Sequence, residues 1–573
     1  MKYMEYARLL ISSFPKNEKT ETTISELANL FHCSDRHAKT IIHYLKDNNW
    51  LKWEVQQGRG KKPKLMLLYD IEDLLLEQAI HKAKSEQYHD AFQVIQQLHP
   101  AHQEKFKLWL QASLGISKIT NEAANVDVLR YPFYDTDLTM DPLYSKSRHD
   151  AHMMQQIFDR LVEFNADTEQ LEPRLAHHWE SRDGKHWIFY LRKGVMFHHG
   201  SVMTSEDVKA TFLRFSENSP IRRDLLEMVV LDDTTIAFHL DKQDYLFPHL
   251  LAGLGGSIVP VEMIEKERSF QRAPIGTGPY MLSKYNEDVI RLDVFPDYYG
   301  YRPWLDRIEI IITPEKLPAK QTHPLLLDQP DSSWTEIKIQ EEGADYITFN
   351  CRKPGPLQDV NNRKWLSSVL DAQEFCLKER DETVAHSFIK EKSSNFPGQK
   401  KTTTSANTTW KLHIAAQQIR EGVNHEREAL ILQKQLKRAG IEATLDIVDL
   451  EKLQQPSVLR QYDLVVAGLA LSENRLLSAV ISILTSQLSI YSSLTNEMKV
   501  SVDKQIAAIK SSPHTGRQWE LYFQLEEYLK ENACIFFLNH RTHTIYEPKD
   551  SEFENIALDS NGRVDYRSVW KRA

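Results

Sequence analysis

Cysteine is scarce in this chain of 573 residues: Cys33, Cys351, Cys376 and Cys534 are scattered without the paired spacing of a zinc site or the density of a disulfide framework. They read as buried or idle thiols. No run of eighteen apolar residues occurs, so no transmembrane helix is expected. The opening MKYMEYARLLISSFPKNEKT has no uninterrupted apolar core, carries Glu5 and Arg8, and lacks a small-residue cleavage site, so no secretory signal is expected either. There is no G-x-S-x-G elbow, H-E-x-x-H helix or dinucleotide fingerprint. GTGP at Gly276 lacks the lysine and spacing of a phosphate loop, and Pro279 suits a tight turn. His177-His178 and His198-His199 are sequence neighbours whose side chains face apart, which denies them a shared metal. The expectation is a protein that is not an enzyme and has no cofactor or metal.

What is present is enough for three or four domains, with 41% hydrophobic residues to fill their cores and a net charge of −9. The charge is unevenly spread. Residues 1–68 hold 12 Lys and Arg against 7 Asp and Glu, a net of +5, which leaves −14 for the rest. In this basic segment Ala7, Leu10, Ile11 and Phe14 form one helical face ending at Pro15. A second helix is capped by Thr23 or Ser25 and buries Ile24, Leu27, Ala28 and Phe31. A third runs from about Asp35 to Asn48; Ala38, Ile41, Ile42 and Leu45 point inward while Arg36, Lys39, Thr40 and His43 share the opposite face. That split is what a recognition helix in a major groove requires. WLKWEVQQGRGKKPKLMLL then reads as two strands around a tip bearing Arg59, Lys61, Lys62 and Lys64. The order defines a winged helix-turn-helix, and its concentrated positive charge suits phosphate contact by counterion release. Double-stranded DNA is the expected partner.

Residues 70–114 lack strand alternation and read as two or three helices, either a spacer packed on its neighbours or a coiled-coil-like dimer seam, so a homodimer stays open. GISKITNEAANVD reads as a polar link, and Ser393 to Thr409 as a polar surface loop. In LEPRLAHHWESRDGKHWIFYLRKGVMFHHGSVMTSEDVKATFLRF, an Asp183-Gly184 turn precedes a strand through Trp187, Phe189 and Leu191. Ser205 then caps a helix with Asp207 in its first turn and Val208, Phe212 and Phe215 on one face. Further on, HEREALILQKQLKRAGIEATLDIV is a helix ended by Gly440 and followed by a strand, an α/β unit.

These segments carry a resemblance. The block from Leu171 to Phe215, together with DLTMDPLYSKSRHDAHMMQQIFDRLVEF, PIGTGPYML, FPDYYGYRPWLDRIEI and YITFNCRKPGPLQDVNNRKWLSSVLD, is similar to family 5 extracytoplasmic solute-binding proteins, which bind peptides, nickel or oligosaccharides. LANLFHCSDRHAKTIIHYLKDNNWLKWEVQQGRGKKPKL resembles the N-terminal domain of the SgrR family of transcriptional regulators, which join such a domain to a family 5 solute-binding domain. The resemblance implies a multidomain protein: an α+β winged helix-turn-helix over 1–68, a helical connector over 69–120, and a two-lobed α/β periplasmic-binding-protein-like domain of type II over 121–573. Lobe I would comprise about 121–340 and 541–573, and lobe II about 341–540. Without an export signal such a protein is expected in the cytoplasm, where it would report on a solute in its interlobe cleft and have no membrane partner.

Peptide-binding members of the family show a glycine-tryptophan pair on the strand ending in the cleft, then an aspartate three residues after the tryptophan. This chain has Gly468-Leu469 and then Ser472, with Glu473 beside it, which counts against an ordinary peptide. Arg420 lies near where some members place an arginine for a ligand carboxylate, and Asn350 and Tyr280 fall in matched segments near the hinge and cleft. The expected ligand residues are therefore Arg420, Ser472, Glu473, Asn350 and Tyr280, and the expected ligand is a sugar phosphate, an oligopeptide or a related metabolite. Two other functions stay open: a binding protein for peptide uptake, and a regulator whose solute domain serves only as a scaffold for dimerisation or a partner.

Overall fold

The computed structural model describes residues 2–56, 58, 61–120, 125–133, 138–144, 148–264, 270, 272–314, 334–393, 410–420, 423–484, 489–548, 553–555 and 564–572. The chain divides into two compact units, one built from 1–137, 283–293 and 305–327, the other from 138–282, 294–304 and 328–573.

The first unit opens with α1 (Lys2–Ser13), β1 (Thr20–Glu21), α2 (Ile24–Leu30), α3 (Asp35–Asp47), β2 (Leu51–Glu54) and β3 (Lys64–Leu67). Thr23 is the cap of α2, through a box in which its hydroxyl accepts the Glu26 N–H and the Glu26 carboxylate accepts the Thr23 N–H. Ser34 caps α3. Ala38, Ile41, Ile42 and Leu45 are buried against Ala7 and Leu10 of α1, Leu27 of α2 and Leu51, Leu65 and Leu67 of the sheet. Each large aliphatic side chain so buried contributes about 1.5–3 kcal/mol. The sheet order is β1-β3-β2; the short β1, which periodicity does not reveal, closes the sheet on α2. This is a winged helix-turn-helix.

The connector is three helices, α4 (Ile71–Lys84), α5 (Tyr88–Ile95) and α6 (Pro100–Ala112). The stretch weighed as a coiled-coil seam breaks at Ser85, and Glu86 adopts a positive φ of 59°. α5 folds back on α4, and Leu76, Ala79, Phe92, Ile95, Phe106 and Leu110 fill a core of their own. The seam is thus spent internally. Leu74 of α4 enters the winged-helix core, and Ile311 enters the connector core.

The expected polar link is a correction. Gly115–Thr120 forms strand β4, paired antiparallel with β5 (Asn125–Phe133). Ile116 and Ile119 are half-buried there; ladder pairing overrides the polar composition that had suggested a loop. β5 runs parallel to Arg307–Ile312, which pairs in turn with Val289–Val294. The connector is fastened to this sheet by charge: Glu86 meets Lys284 at 2.8 Å and also Arg291, Arg291 lies 3.2 Å from Glu309, and Glu309 lies 2.5 Å from Arg130.

In the second unit α7 (Arg148–Ile157) is followed by β6 (Ala176–Glu180), β7 (His186–Leu191), α8 (Ser205–Leu213), β8 (Leu225–Asp232) and β9 (Thr235–Leu240). Their sheet order is β8-β9-β7-β6, over a core of Trp187, Phe189, Phe212 and Phe238. The cap of α8 is Thr204, one residue before the Ser205 expected. Thr204 is the residue whose N–H reaches the Asp207 carboxylate, at 2.8 Å, so the reciprocal box forms from it, and Ser205 becomes the first helical residue. The GTGP segment holds the end of α7: Gly278 N–H donates to the Ile157 carbonyl at 2.9 Å. A Cβ on Gly276 would stand 2.1 Å from the Ile157 carbonyl oxygen, which explains the glycine there.

Two strands, Trp334–Gln340 and Thr542–Pro548, pair as an antiparallel ribbon leading into and out of the second lobe. That lobe holds β10 (Gly343–Phe349), β11 (Lys411–Arg420), α9 (Glu426–Arg438), β12 (Glu442–Asp449), β13 (Leu464–Ala470), α10 (Arg475–Leu484), α11 (Asn496–Ser511), α12 (Thr515–Glu531) and β14 (Ile535–Phe537). β11 lies parallel to both β12 and β13, and β10 is antiparallel to β13 and β14. The β11-α9-β12 unit is the α/β unit expected, with Leu432 and Leu436 inward and Gly440 at φ 83° ending the helix. The polar tract at 394–409 lies outside the described residues.

Candidate functional site

Arg36, Lys39, Thr40 and His43 all lie exposed on the outer face of α3. The Thr40 hydroxyl donates back to the Arg36 carbonyl at 3.2 Å, so it offers a ligand its acceptor side. Tyr44 stacks on Tyr3 of α1, with ring centroids 3.9 Å apart, and stiffens the end of the helix. Of the wing residues, Lys61 is exposed, whereas Lys62 pairs with Glu26 at 2.9 Å; Arg59 lies outside the described residues. The lysine and two backbone and hydroxyl donors around it hold the Glu26 carboxyl down at about 2. Glu26 thus caps α2 and restrains the wing at once. The capping box is legible in TISE; the second role depends on the wing folding back.

In the second unit β11 and β13 run parallel, so the strand ends that lead to Arg420 and to Ser472 point the same way. Arg420 ends β11, with its side chain outside the described residues. β13 runs into Ser472 and Glu473, both exposed, and the Ser472 N–H donates to the Ser478 hydroxyl at 3.2 Å. Asn350 sits differently. It is buried, and its amide donates to the Leu459 and Tyr462 carbonyls while its oxygen accepts from the Arg352 and Lys353 N–H groups. Tyr280 is fully buried, and its hydroxyl donates to the Tyr566 carbonyl at 3.3 Å. The geometry gives both of these residues work in the fold.

Beneath the strand, Gly468 lies against a buried polar group. A Cβ there would stand 2.4 Å from Asp345 Oδ1 and 2.7 Å from His425 Cε1. Arg541 donates to Asp345 at 2.7 Å and to His425 Nδ1 at 2.9 Å. Burial pushes His425 down to about 3 and Asp345 up to about 7, the latter against the pull of Arg541.

Sequence reasoning missed the residues just beyond Glu473. Asn474 caps α10 by accepting the Leu477 N–H, and its amide meets His249 Nδ1 at 2.8 Å. Arg475 lies 2.9 Å from both Glu169 and Glu391. Lys510 of α11 lies 3.0 Å from Asp224 and 2.8 Å from Asp244, and its carbonyl accepts the Tyr245 N–H at 2.7 Å. His249, Glu169, Asp224 and Asp244 belong to the first lobe, so these contacts latch the lobes together within the second unit. Burial lowers His249 to about 4, which leaves its ring neutral and able to accept from Asn474. Beside the latch is a small apolar pocket lined by Leu246, Leu250, Leu477, Val480, Ile481 and Leu484, with Arg223 and Lys510 contributing charge.

Other constellations have local explanations. Asp70, Asp73 and His102 come within ligand distance of one another, but the Lys16 ammonium already sits 2.8 Å and 2.6 Å from the two carboxylates. His198 bonds the Gly278 carbonyl and the Gly276 N–H, while His199 turns to Glu262 at 2.6 Å. No described helix is long and apolar enough to cross a membrane.

The class these elements define is a winged helix-turn-helix domain joined through packed helices to a two-lobed solute-binding fold. The chain belongs to the bacterial extracellular solute-binding proteins, family 5, whose middle-region pattern matches residues 170–487. Residues 2–117 match the pattern described as the sugar transport-related sRNA regulator N-terminal domain, as in the SgrR family. Over 567 residues the chain is 25% identical to YhjP of Bacillus subtilis strain 168, covering 96% of each. It is 31% identical over 357 residues to the HTH-type transcriptional regulator SgrR of Escherichia coli K12, an alignment spanning 62% of either chain. The structure of HbpA2 from Haemophilus parasuis is similar with a TM-score of 0.63 at 20% identity, covering 78% of this chain and all of that one, a likeness of fold.

Proposed function

We propose that this chain is a cytoplasmic DNA-binding transcriptional regulator whose two-lobed domain senses a small solute such as a sugar phosphate, an oligopeptide or a related metabolite. The observation that carries the reading is the exposed polar face of α3, set beside a lysine-bearing wing in a segment of net positive charge within an acidic chain. The SgrR regulators, alike in sequence, support it. Arg36, Lys39, Thr40 and His43 enter the major groove, and Arg59, Lys61 and Lys62 approach phosphates. Arg420, Ser472 and Glu473 face the solute, and Asn350 and Tyr280 support the cleft walls. Ligand favours one arrangement of the lobes, and a preference of about 1–3 kcal/mol changes DNA affinity 5- to 150-fold. No enzymatic step is part of this reading.

The test is a thermal-shift screen of sugar phosphates, peptides and amino acids on the full chain, followed by anisotropy on a labelled duplex with and without each hit. A true ligand at about 100 times its Kd stabilises by about 2.7 kcal/mol. A hit that also alters DNA affinity supports the proposal; DNA binding without any hit favours the scaffold reading, which the serine at the family's aspartate position also favours.

A further inference from the structure

The sheet β8-β9-β7-β6 of the first lobe ends on one side at β8, and among the described residues no strand pairs with the far edge of β8. The register decides which backbone groups that edge presents. Leu240 N–H donates to the Lys185 carbonyl and Leu191 N–H to the Thr234 carbonyl, so the even-numbered residues of β9 bond to β7. Ala237 and His239 therefore bond the other way, to Val229 and Glu227 of β8. The N–H and C=O groups of Met228 and Val230 are left pointing outward along the open edge.

Natural edges are kept from pairing by lysine, proline or inward-pointing charge. β8, LLEMVVLD, has neither lysine nor proline. Its register shifts between Leu225 and Glu227 and again between Val230 and Asp232, and these bulges turn Leu226 and Leu231 out to solvent, 70% and 55% exposed. Bulges usually blunt an edge; here each one delivers a leucine to it.

The ends of the strand carry opposite charge. Arg223 stands just before β8, and Asp232 and Asp233 close it, all three exposed. Neither Arg223 nor Asp233 takes part in an ion pair among the described residues. When two identical strands pair antiparallel within one sheet, their two-fold axis is perpendicular to the sheet and falls on a residue that faces its own copy. With the axis at Met228, each Met228 N–H donates to the Met228 carbonyl of the other copy, and Arg223 of each copy meets Asp233 of the other. Leu226 and Leu231 are then covered by Val230 and Leu225 of the second copy. Asp224 comes opposite Asp232, but Lys510 already holds Asp224 at 3.0 Å. With the axis at Val230, Glu227 would face Asp233, so charge selects Met228.

We propose that β8 is a homodimer interface, at which two copies of this chain join their first-lobe sheets edge to edge and antiparallel about Met228. The pairing rests on neither the solute-sensing nor the DNA-binding reading.

The test is sedimentation velocity of the full chain over a concentration series, without DNA. Expected is a reversible equilibrium of monomer and dimer, weak because an edge pairing buries less than about 1,200 Å². Leu226→Lys combined with Leu231→Lys, both at exposed positions, is expected to weaken dimerisation about tenfold or more. Val500→Lys, at a residue of α11 that is 69% exposed, leaves it unchanged. Arg223→Glu and Asp233→Arg each weaken it about fivefold, and the two together restore it, because the reversed charges meet again across the axis. Circular dichroism confirms that each variant is folded. Monomer at every concentration, growth beyond the dimer, a dimer indifferent to the two lysines, or no recovery in the double reversal overturns the proposal.

Discussion

Replacing Glu26 by Gln should strengthen DNA binding. The Glu26 carboxylate holds Lys62 at 2.9 Å, so Lys62 must leave it before meeting a phosphate, and the carboxylate itself repels that phosphate. Glutamine keeps an oxygen that can accept the Thr23 N–H, so the cap survives while the charge goes. Each neutralised phosphate contributes about 0.9 to the slope of log K against log salt. Between 50 and 200 mM salt, one contact is therefore worth about a 3.5-fold change in affinity. With Lys61 exposed and Lys62 half committed, Lys61→Ala should lower the slope by about 0.9 and Lys62→Ala by clearly less. Glu26→Gln should raise affinity at low salt and make Lys62→Ala as costly as Lys61→Ala. The assay is fluorescence anisotropy on a mixed-sequence 30-base-pair duplex across a salt series, since phosphate contact requires no operator. Equal slopes for wild type, Lys61→Ala and Lys62→Ala would refute the placement of the wing on phosphate.

Further outcomes follow from the second unit. Gly468→Ala drives a methyl group into Asp345 and His425 and should destabilise by about 1–3 kcal/mol in urea titrations; an unchanged midpoint would show that the cluster yields freely. Asn350→Ala strands two carbonyls and two N–H groups and should cost about 3 kcal/mol, and a stable variant that fails only in solute binding would return Asn350 to the cleft. Lys510→Met leaves the buried Asp244 and the half-buried Asp224 without their cation and should cost about 3 kcal/mol, against about 1 kcal/mol or less for Arg475→Ala, whose partners are half exposed. Small-angle scattering should show the lobes separating further in the Lys510 variant. Acid should also destabilise. His198 and His249, lowered to about 4, and His425, lowered to about 3, stay neutral in the folded chain while the unfolded chain takes up protons below about 6.5. Stability therefore falls with pH from about 6.5 toward 4. Asp345, raised to about 7, is protonated first in the folded state and opposes the trend. Three histidines against one aspartate leave a net loss of roughly 2 kcal/mol per pH unit near pH 5.5, and a urea midpoint that rises on acidification would contradict it.

The winged helix was legible because its apolar and polar faces follow helical periodicity and its caps are local: Ser34 and the Thr23–Glu26 box need no distant partner. The β11-α9-β12 unit was legible for the same reason. Strand β4 was not, because a half-buried edge strand with Ser117 and Lys118 resembles a link until its partner is known. The Thr204 cap was missed by one residue, since Thr204 and Ser205 are chemically equivalent and only the reach of Asp207 decides between them. At the cleft, family spacing pointed to Ser472 and Glu473 but gave no sign that the next two residues, Asn474 and Arg475, bridge the lobes, because their partners His249 and Glu169 lie more than two hundred residues away in sequence. Asn350 and Tyr280 drew attention as polar residues in matched segments, yet burial and backbone hydrogen bonding account for them.

The most direct measurement of the central claim is selection of duplexes from a random library by the full chain at 150 mM salt, repeated with Arg36→Ala and His43→Ala. The account predicts an enriched motif whose preferred bases change in those two variants but persist, more weakly bound, in Lys61→Ala. Enrichment of no motif by the wild-type chain, or a motif indifferent to Arg36 and His43, would contradict it.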